Sequence, residues 1–149
     1  MARPPLSLKG RALAALARRE HSRAELRRKL APHAESAEQV DALLDELAAQ
    51  RWLSDERFAE QMVNGRSARF GLLRIRQELS QHKVDADIAE PLLGRLKQTE
   101  RQRALEVWQR KFGQLPGDVT ERGRQQRFLA QRGFSGEAIA WVLKGAPEG

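Results

Sequence analysis

Residues 22–30 read Ser-Arg-Ala-Glu-Leu-Arg-Arg-Lys-Leu. A hydroxyl three positions ahead of a glutamate is the pair that satisfies the free amides of a helix N-terminus, so Ser22 opens a helix. Leu26 and Leu30 lie four apart on its inner face, which leaves Arg23, Arg27 and Arg28 on or near the outer one. The closing leucine recurs, because Leu30, Leu79 and Leu129 are separated by 49 and 50 residues. Leu13, Met62 and Phe112 keep the same offsets, as do Leu43, Leu92 and Val142. Six residues after each leucine of the first set comes a capping residue: Ser36, Asp85 and Ser135. Offsets matched at three helix positions predict tandem units over one irregular bundle.

Outward from that stretch the chain reads as helix throughout. Tyr is absent, β-branched residues are few, and Ala, Leu, Arg, Glu and Gln dominate. Caps at Ser22, Ser36, Asp85 and Ser135, a capping box at Thr99-Glu100-Arg101-Gln102, and breaks at Pro32, Gly71, Pro116-Gly117 and Gly133 delimit nine helices. They are expected at 8–19, 22–33, 36–51, 54–69, 71–82, 85–97, 99–113, 118–132 and 135–144. Pro91 inside the sixth and Gly123 inside the eighth are local conflicts. The fold class is therefore all-α, with three tandem three-helix repeats forming an elongated, curved array. The repeats occupy 8–53, 54–97 and 98–144, between a disordered tail at 1–7 and a frayed one at 145–149.

The charge follows the repeat. The 149 residues carry 27 basic against 20 acidic side chains, and 21 of the cations are Arg. Residues 9–29 have a net charge of +6, residues 66–83 of +4, and residues 122–132 of +4. The third helix of the first unit, with the residue before its cap, carries Glu35, Glu38, Asp41, Asp45 and Glu46 and no base before Arg51. An Arg-biased genome would scatter arginine evenly, whereas here it recurs on corresponding helices. Such faces suit repeating backbone phosphates or an acidic protein surface. Solvated helix faces with i,i+4 partners, such as Glu25 with Lys29, are the plainer alternative. Base reading has little support, since the polar faces offer few amides; Gln77, Gln81, Gln125 and Gln126 read as neutral surface residues.

Other chemistries are poorly provided for. With no Cys there is no disulfide, thiol catalysis or cysteine-based metal site. His21, His33 and His82 stand alone, without a second ligand at metal spacing. Ser22 reads as a cap, His33 and His82 as residues at helix C-termini. There is no glycine-rich phosphate loop, so no enzyme and no cofactor are expected. Phe70 is expected to pack under a loop rather than to stack on a base. Trp52 and Trp141 are the aromatic candidates for an interface, the others being core. No run of eighteen apolar residues and no signal-peptide core occur, so the expected setting is cytoplasmic and not membrane-bound.

The run Ala12-Leu-Ala-Ala-Leu-Ala-Arg-Arg-Glu-His-Ser-Arg-Ala-Glu-Leu-Arg-Arg-Lys-Leu30 resembles the opening of the RecX family, regulatory partners of the RecA recombinase. The likeness continues through Leu53, Asp55, Arg57, Phe58 and Ala59, then Arg66, Arg69, Gly71, Ile75, Glu78 and Leu79. It ends in residues 128–135, Phe-Leu-Ala-Gln-Arg-Gly-Phe-Ser, with Ile139. Trp52 and Met62 stand where that family commonly has Tyr, Ser54 where a second Asp is common, and Lys83 where Gly ends the fifth helix. The resemblance implies a monomeric, non-enzymatic inhibitor of RecA. It would sit in the groove of the RecA–DNA filament and limit filament growth, ATP hydrolysis, strand exchange and co-protease activity. The residues expected to meet RecA or the backbone of single- and double-stranded DNA are Arg18, Arg19, Arg23, Arg27, Arg28, Arg57, Arg66, Arg69, Arg74, Arg76, Arg122, Arg124, Arg127 and Arg132. The alternative is a nonspecific DNA- or RNA-binding helical repeat protein.

Overall fold

The computed structural model describes residues 5–146. Among them are eight α-helices and no strand: α1 Leu8–Arg18, α2 Arg23–Leu30, α3 Ala37–Ala49, α4 Asp55–Arg66, α5 Leu72–Gln81, α6 Ala86–Lys111, α7 Val119–Gln131 and α8 Gly136–Leu143. The side chains of Ser22, Ser36, Ser54, Asp85, Asp118 and Ser135 each accept an amide of the first turn that follows. A 3₁₀ turn, Ala31–His33, carries Pro32 and ends the first basic helix. Of the expected tails, residues 1–4 and 147–149 lie outside the described residues. Ser7, assigned to the first tail, instead caps α1 by accepting from the Gly10 amide.

The nine expected helices are eight, because the sixth and seventh are one. α6 runs 26 residues, about 39 Å at 1.5 Å per residue, straight through the supposed capping box. Thr99 opens nothing: its hydroxyl bonds the Leu96 carbonyl behind it and accepts from Arg103 Nε ahead. A threonine can stay helical in this way, and Lys97-Gln98 supply no breaker. Gln102, the box's other half, turns forward instead, its side-chain amide donating to Glu106 Oε1. Pro91 lies inside the first half of α6, where it removes one amide donor without ending the helix.

Three separate apolar clusters follow the repeat. Residues 12–53, 59–96 and 104–143 each contribute one. The equivalent leucines Leu30, Leu79 and Leu129 are 2%, 1% and 0% exposed, and Leu43, Leu92 and Val142 are also buried. α6 serves two clusters: Ala89, Leu92, Leu93 and Leu96 close the second, Ala104, Val107 and Trp108 the third. The accessible surface of 9779 Å² exceeds the roughly 7,700 Å² of a compact monomer of this mass, as arrayed units require.

The junctions between units obey one rule. The first amide of each second helix is taken by a carboxylate from the next unit: Arg23 N–H donates to Asp55 Oδ1 at 2.8 Å, and Leu72 N–H to Glu100 Oε1 at 3.1 Å. Arg23 and Leu72 are 49 residues apart, so the two donors are equivalent positions, while their acceptors Asp55 and Glu100 are 45 apart. A carboxylate there also meets the positive end of the helix dipole. At the second junction Glu100, only 4% exposed, accepts from Ser135 N–H as well. Gly71 N–H donates to the Arg132 carbonyl at 2.8 Å and Leu73 N–H to that of Gly133 at 3.0 Å. This approach admits no side chain, since a Cβ on Gly71 would lie 2.4 Å from the Gly133 backbone. Arg103 locks the same joint through the carbonyls of Ser67, Phe70 and Leu96. Burial lowers its pKa from the ordinary guanidinium value, against the charges of Glu100 and Glu106.

Candidate functional site

The structure divides the candidate arginines into two populations. In the first unit most are already neutralised. Arg23 reaches Asp45 at 2.6 Å and Arg27 reaches Asp41 at 2.8 Å, so the acidic α3 lies against the basic α2. Arg19 forks onto Glu25, raising its own pKa; burial pushes the Glu25 carboxyl up, but Arg19 outweighs it and holds it low. Arg57 bonds Glu20 at 2.8 Å and the carbonyls of Arg51 and Trp52. These pairs are exposed and worth about 0–1 kcal/mol each. They also occupy the donors that a phosphate would need.

Between the second and third units the arrangement is different. Phe70, 9% exposed, has four guanidiniums around its ring: Arg74 at 4.0 Å from the centroid, Arg69 and Arg132 at 5.5 Å, and Arg66 at 5.9 Å. Each cation is drawn to the negative ring face. Phe70 is thus covered, as expected, and does not present itself to a base. One carboxylate, Glu78, serves Arg66 at 3.2 Å and Arg74 at 3.7 Å. Beyond them Arg69, Arg110, Lys111 and Arg132 line a groove of about 320 Å³ floored by Val107 and Phe128. None of these four forms an ion pair with a described residue. Arg132 and Lys111 lie 5.2 and 5.4 Å from the Phe128 centroid, and Arg110 donates to the Ala68 carbonyl.

Sequence reasoning missed Arg110 and Lys111. The repeat offers no signal for Lys111, whose equivalents are Gln61 and Ala12. It joins the site because α6 carries it back beside the loop after α4. Of the remaining candidates, Arg18, Arg28, Arg76 and Arg127 are exposed and Arg122 half-buried on their own helices. Arg124 pairs loosely with Glu121 at 3.6 Å. The structure does not bring these into the groove. Gln125, read as a surface amide, is 2% exposed, accepting from Trp108 Nε1 at 2.7 Å. The offsets from Leu26 and Ile75 reach Gln125, so the repeat itself held the clue.

The first junction holds two of the three histidines, His21 and His82, while His33 ends the 3₁₀ turn of the first unit. His21 is 1% exposed; its Nδ1 lies 2.9 Å from the Arg19 carbonyl and its Nε2 2.9 Å from Lys29 Nζ. That pattern requires a neutral ring with its proton on Nδ1. Burial lowers its pKa, and the charges of Arg19 and Lys29 push the same way. Ser22 caps α2, as expected, and its Oγ lies 3.2 Å from Nδ1 of His82, which ends α5. Trp52 is 57% exposed. No described helix is long and apolar enough to cross a membrane.

Models of a RecX first, second and third three-helix domain match residues 9–47, 54–93 and 98–143. A regulatory protein RecX of Ralstonia pickettii (strain 12J) is 51% identical over 146 residues, covering 98% of this chain and 92% of its own length. One of Leptothrix cholodnii (strain ATCC 51168 / LMG 8142 / SP-6) is 52% identical over 142 residues, covering 95% and 90%. The crystal structure of RecX from Lactobacillus salivarius superposes with a TM-score of 0.79 at 18% identity, over 93% of this chain and 94% of that one. At that identity the likeness concerns the fold.

Proposed function

The chain belongs to the RecX family, and from that premise we propose that it is a non-enzymatic inhibitor of the RecA recombinase. It acts in the cytoplasm, as a monomer. It lies along the RecA–DNA filament through its basic helices and limits filament growth, and with it ATP hydrolysis, strand exchange and co-protease activity. The observation that carries this reading is the match of all three units, in order, to relatives called regulatory proteins. An array of units exposing cations along its length suits a long, charged, repetitive surface better than a compact ligand.

The test is RecA's single-strand-dependent ATP hydrolysis with this protein added far below the amount needed to coat the DNA. Inhibition at that ratio is expected, and its absence sinks the proposal. A plain DNA- or RNA-binding repeat is the second reading, favoured by the unpaired cations of the groove. Its binding falls steeply with salt, whereas association with RecA through a mixed interface persists.

A further inference from the structure

We propose that the groove between the second and third units is a phosphate site for a nucleic-acid backbone, and that it anchors the chain on DNA. The three basic helices are not equal contributors. This deepens the functional reading above and rests on it for its biological setting.

Charge is the first argument. In the first unit Arg19, Arg23 and Arg27 have carboxylates at 2.5–2.8 Å, as does Arg57 at the start of the second, so a phosphate must displace an existing partner. In the groove Arg69, Arg110, Lys111 and Arg132 converge without one. Folding has gathered like charges there; of the acids beside them, Glu78 is engaged by Arg66 and Arg74, and Glu106, one turn before Arg110 on α6, forms no ion pair with the four. A bound polyanion removes that repulsion.

Preorganisation is the second. Arg132 is held over two rings, Arg69 over one, Lys111 over Phe128, and Arg110 by the Ala68 carbonyl. Long side chains that are already placed lose less freedom when they bind. Their frame is fixed by the Gly71–Arg132 bond and by Glu100.

The lining then selects the ligand. It offers cations over Val107 and Phe128, with no amide or hydroxyl side chain to read a base edge. Four cations in one cleft call for dense negative charge. Duplex DNA carries one charge per about 1.7 Å of axis, a density that the acidic faces of folded proteins do not approach.

The experiment uses the full chain and a fluorescein-labelled oligonucleotide, single-stranded or duplex, with binding read by anisotropy between about 50 and 200 mM salt. Arg69→Gln/Lys111→Gln/Arg132→Gln is compared with Arg19→Gln/Arg23→Gln/Arg27→Gln, which removes the same charge. Each lost phosphate contact costs roughly fivefold at about 0.15 M salt and flattens the log–log salt slope by about one. The groove variant is therefore expected to weaken about a hundredfold, and the first-unit variant less than tenfold. Equal losses overturn the proposal, as does displacement of the oligonucleotide by polyglutamate as readily as by unlabelled DNA, which marks an acidic-protein site. Lys111→Gln alone, exposed at the end of α6, is expected to show one fivefold step. It decides the matter should the triple variant lose helicity, and no loss from it overturns the proposal. RecA hydrolysis measured in parallel separates the two ideas. Wild type that binds DNA through the groove without inhibiting RecA ends the functional reading alone; a groove variant that keeps full DNA affinity ends this one alone.

Discussion

Replacing Gly71 by alanine tests the joint on which the groove is built. The added Cβ would lie 2.4 Å from the carbonyl carbon and oxygen of Gly133 and from the Phe134 nitrogen, where ordinary contact begins at 3.4 Å. The turn after α7 must therefore retreat by about 1 Å, and backbone atoms offer no flexible end to yield instead. Such a retreat stretches the 2.8 Å bond from Gly71 N–H and the 3.0 Å bond from Leu73 N–H beyond useful length. Each is worth about 1 kcal/mol net, more where a donor stays buried and unpaired. The Glu100 carboxylate, held between the amides of Leu72 and Ser135, loses one of them. The sum is roughly 3–5 kcal/mol. At about 2–4 °C per kcal/mol for a chain of this size, the melting midpoint falls by about 10 °C. Far-UV circular dichroism on heating measures it, with Gly94→Ala as the counterpart. A Cβ at Gly94 meets nothing within 4 Å, so that helix-interior change should stabilise by about 0.5–1 kcal/mol. A Gly71→Ala protein melting within a degree or two of wild type refutes the backbone-to-backbone joint.

Two further changes probe the other junction. Lys83 follows α5 with φ +55°, a left-handed conformation that disfavours any side chain. Lys83→Gly relieves that strain but frees the unfolded chain, for a net gain of about 0.5 kcal/mol read as a raised urea midpoint; an unchanged or lower midpoint contradicts it. His21 supplies the pH dependence. Its folded pKa lies below the unfolded value of 6.5, so the unfolded state takes up the proton first on acidification. Its contribution is complete above about pH 6.5 and is lost as the pH falls from there toward the folded pKa. His21→Gln should flatten the stability curve in that window, and an identical slope in both proteins removes His21 as the cause.

The helical cores were legible because burial repeats with the sequence: Leu30, Leu79 and Leu129 needed only their spacing to be placed inside. Caps were legible for a local reason, since Ser22, Ser36 and Ser135 act within three residues of themselves. The capping box at Thr99 misled because a hydroxyl followed three residues on by an amide also fits a helix interior, where Thr99 bonds the Leu96 carbonyl and Gln102 bonds Glu106. Glu100 between them turned to the amides of Leu72 in the second unit and Ser135 in its own, and that choice depends on residues 28 and 35 positions away. Pairing of arginines was equally non-local. Arg23 and Arg27 look free in a helical projection, and their partners Asp45 and Asp41 stand on the next helix. The groove draws on the loop after α4, the end of α6 and the end of α7, three places that no single period connects.

The continuous α6 also sets how this chain can change in length. One residue inserted between Leu96 and Ala104 turns everything beyond it by about 100° and advances it by 1.5 Å. Gly133 then no longer faces Gly71, and Glu100 or Arg103 leaves its carbonyls and amides. The connector from Gly113 to Asp118 has no such phase to keep. Insertions and deletions in relatives should therefore collect between α6 and α7 and avoid residues 97–103, a pattern that an alignment of the family can check.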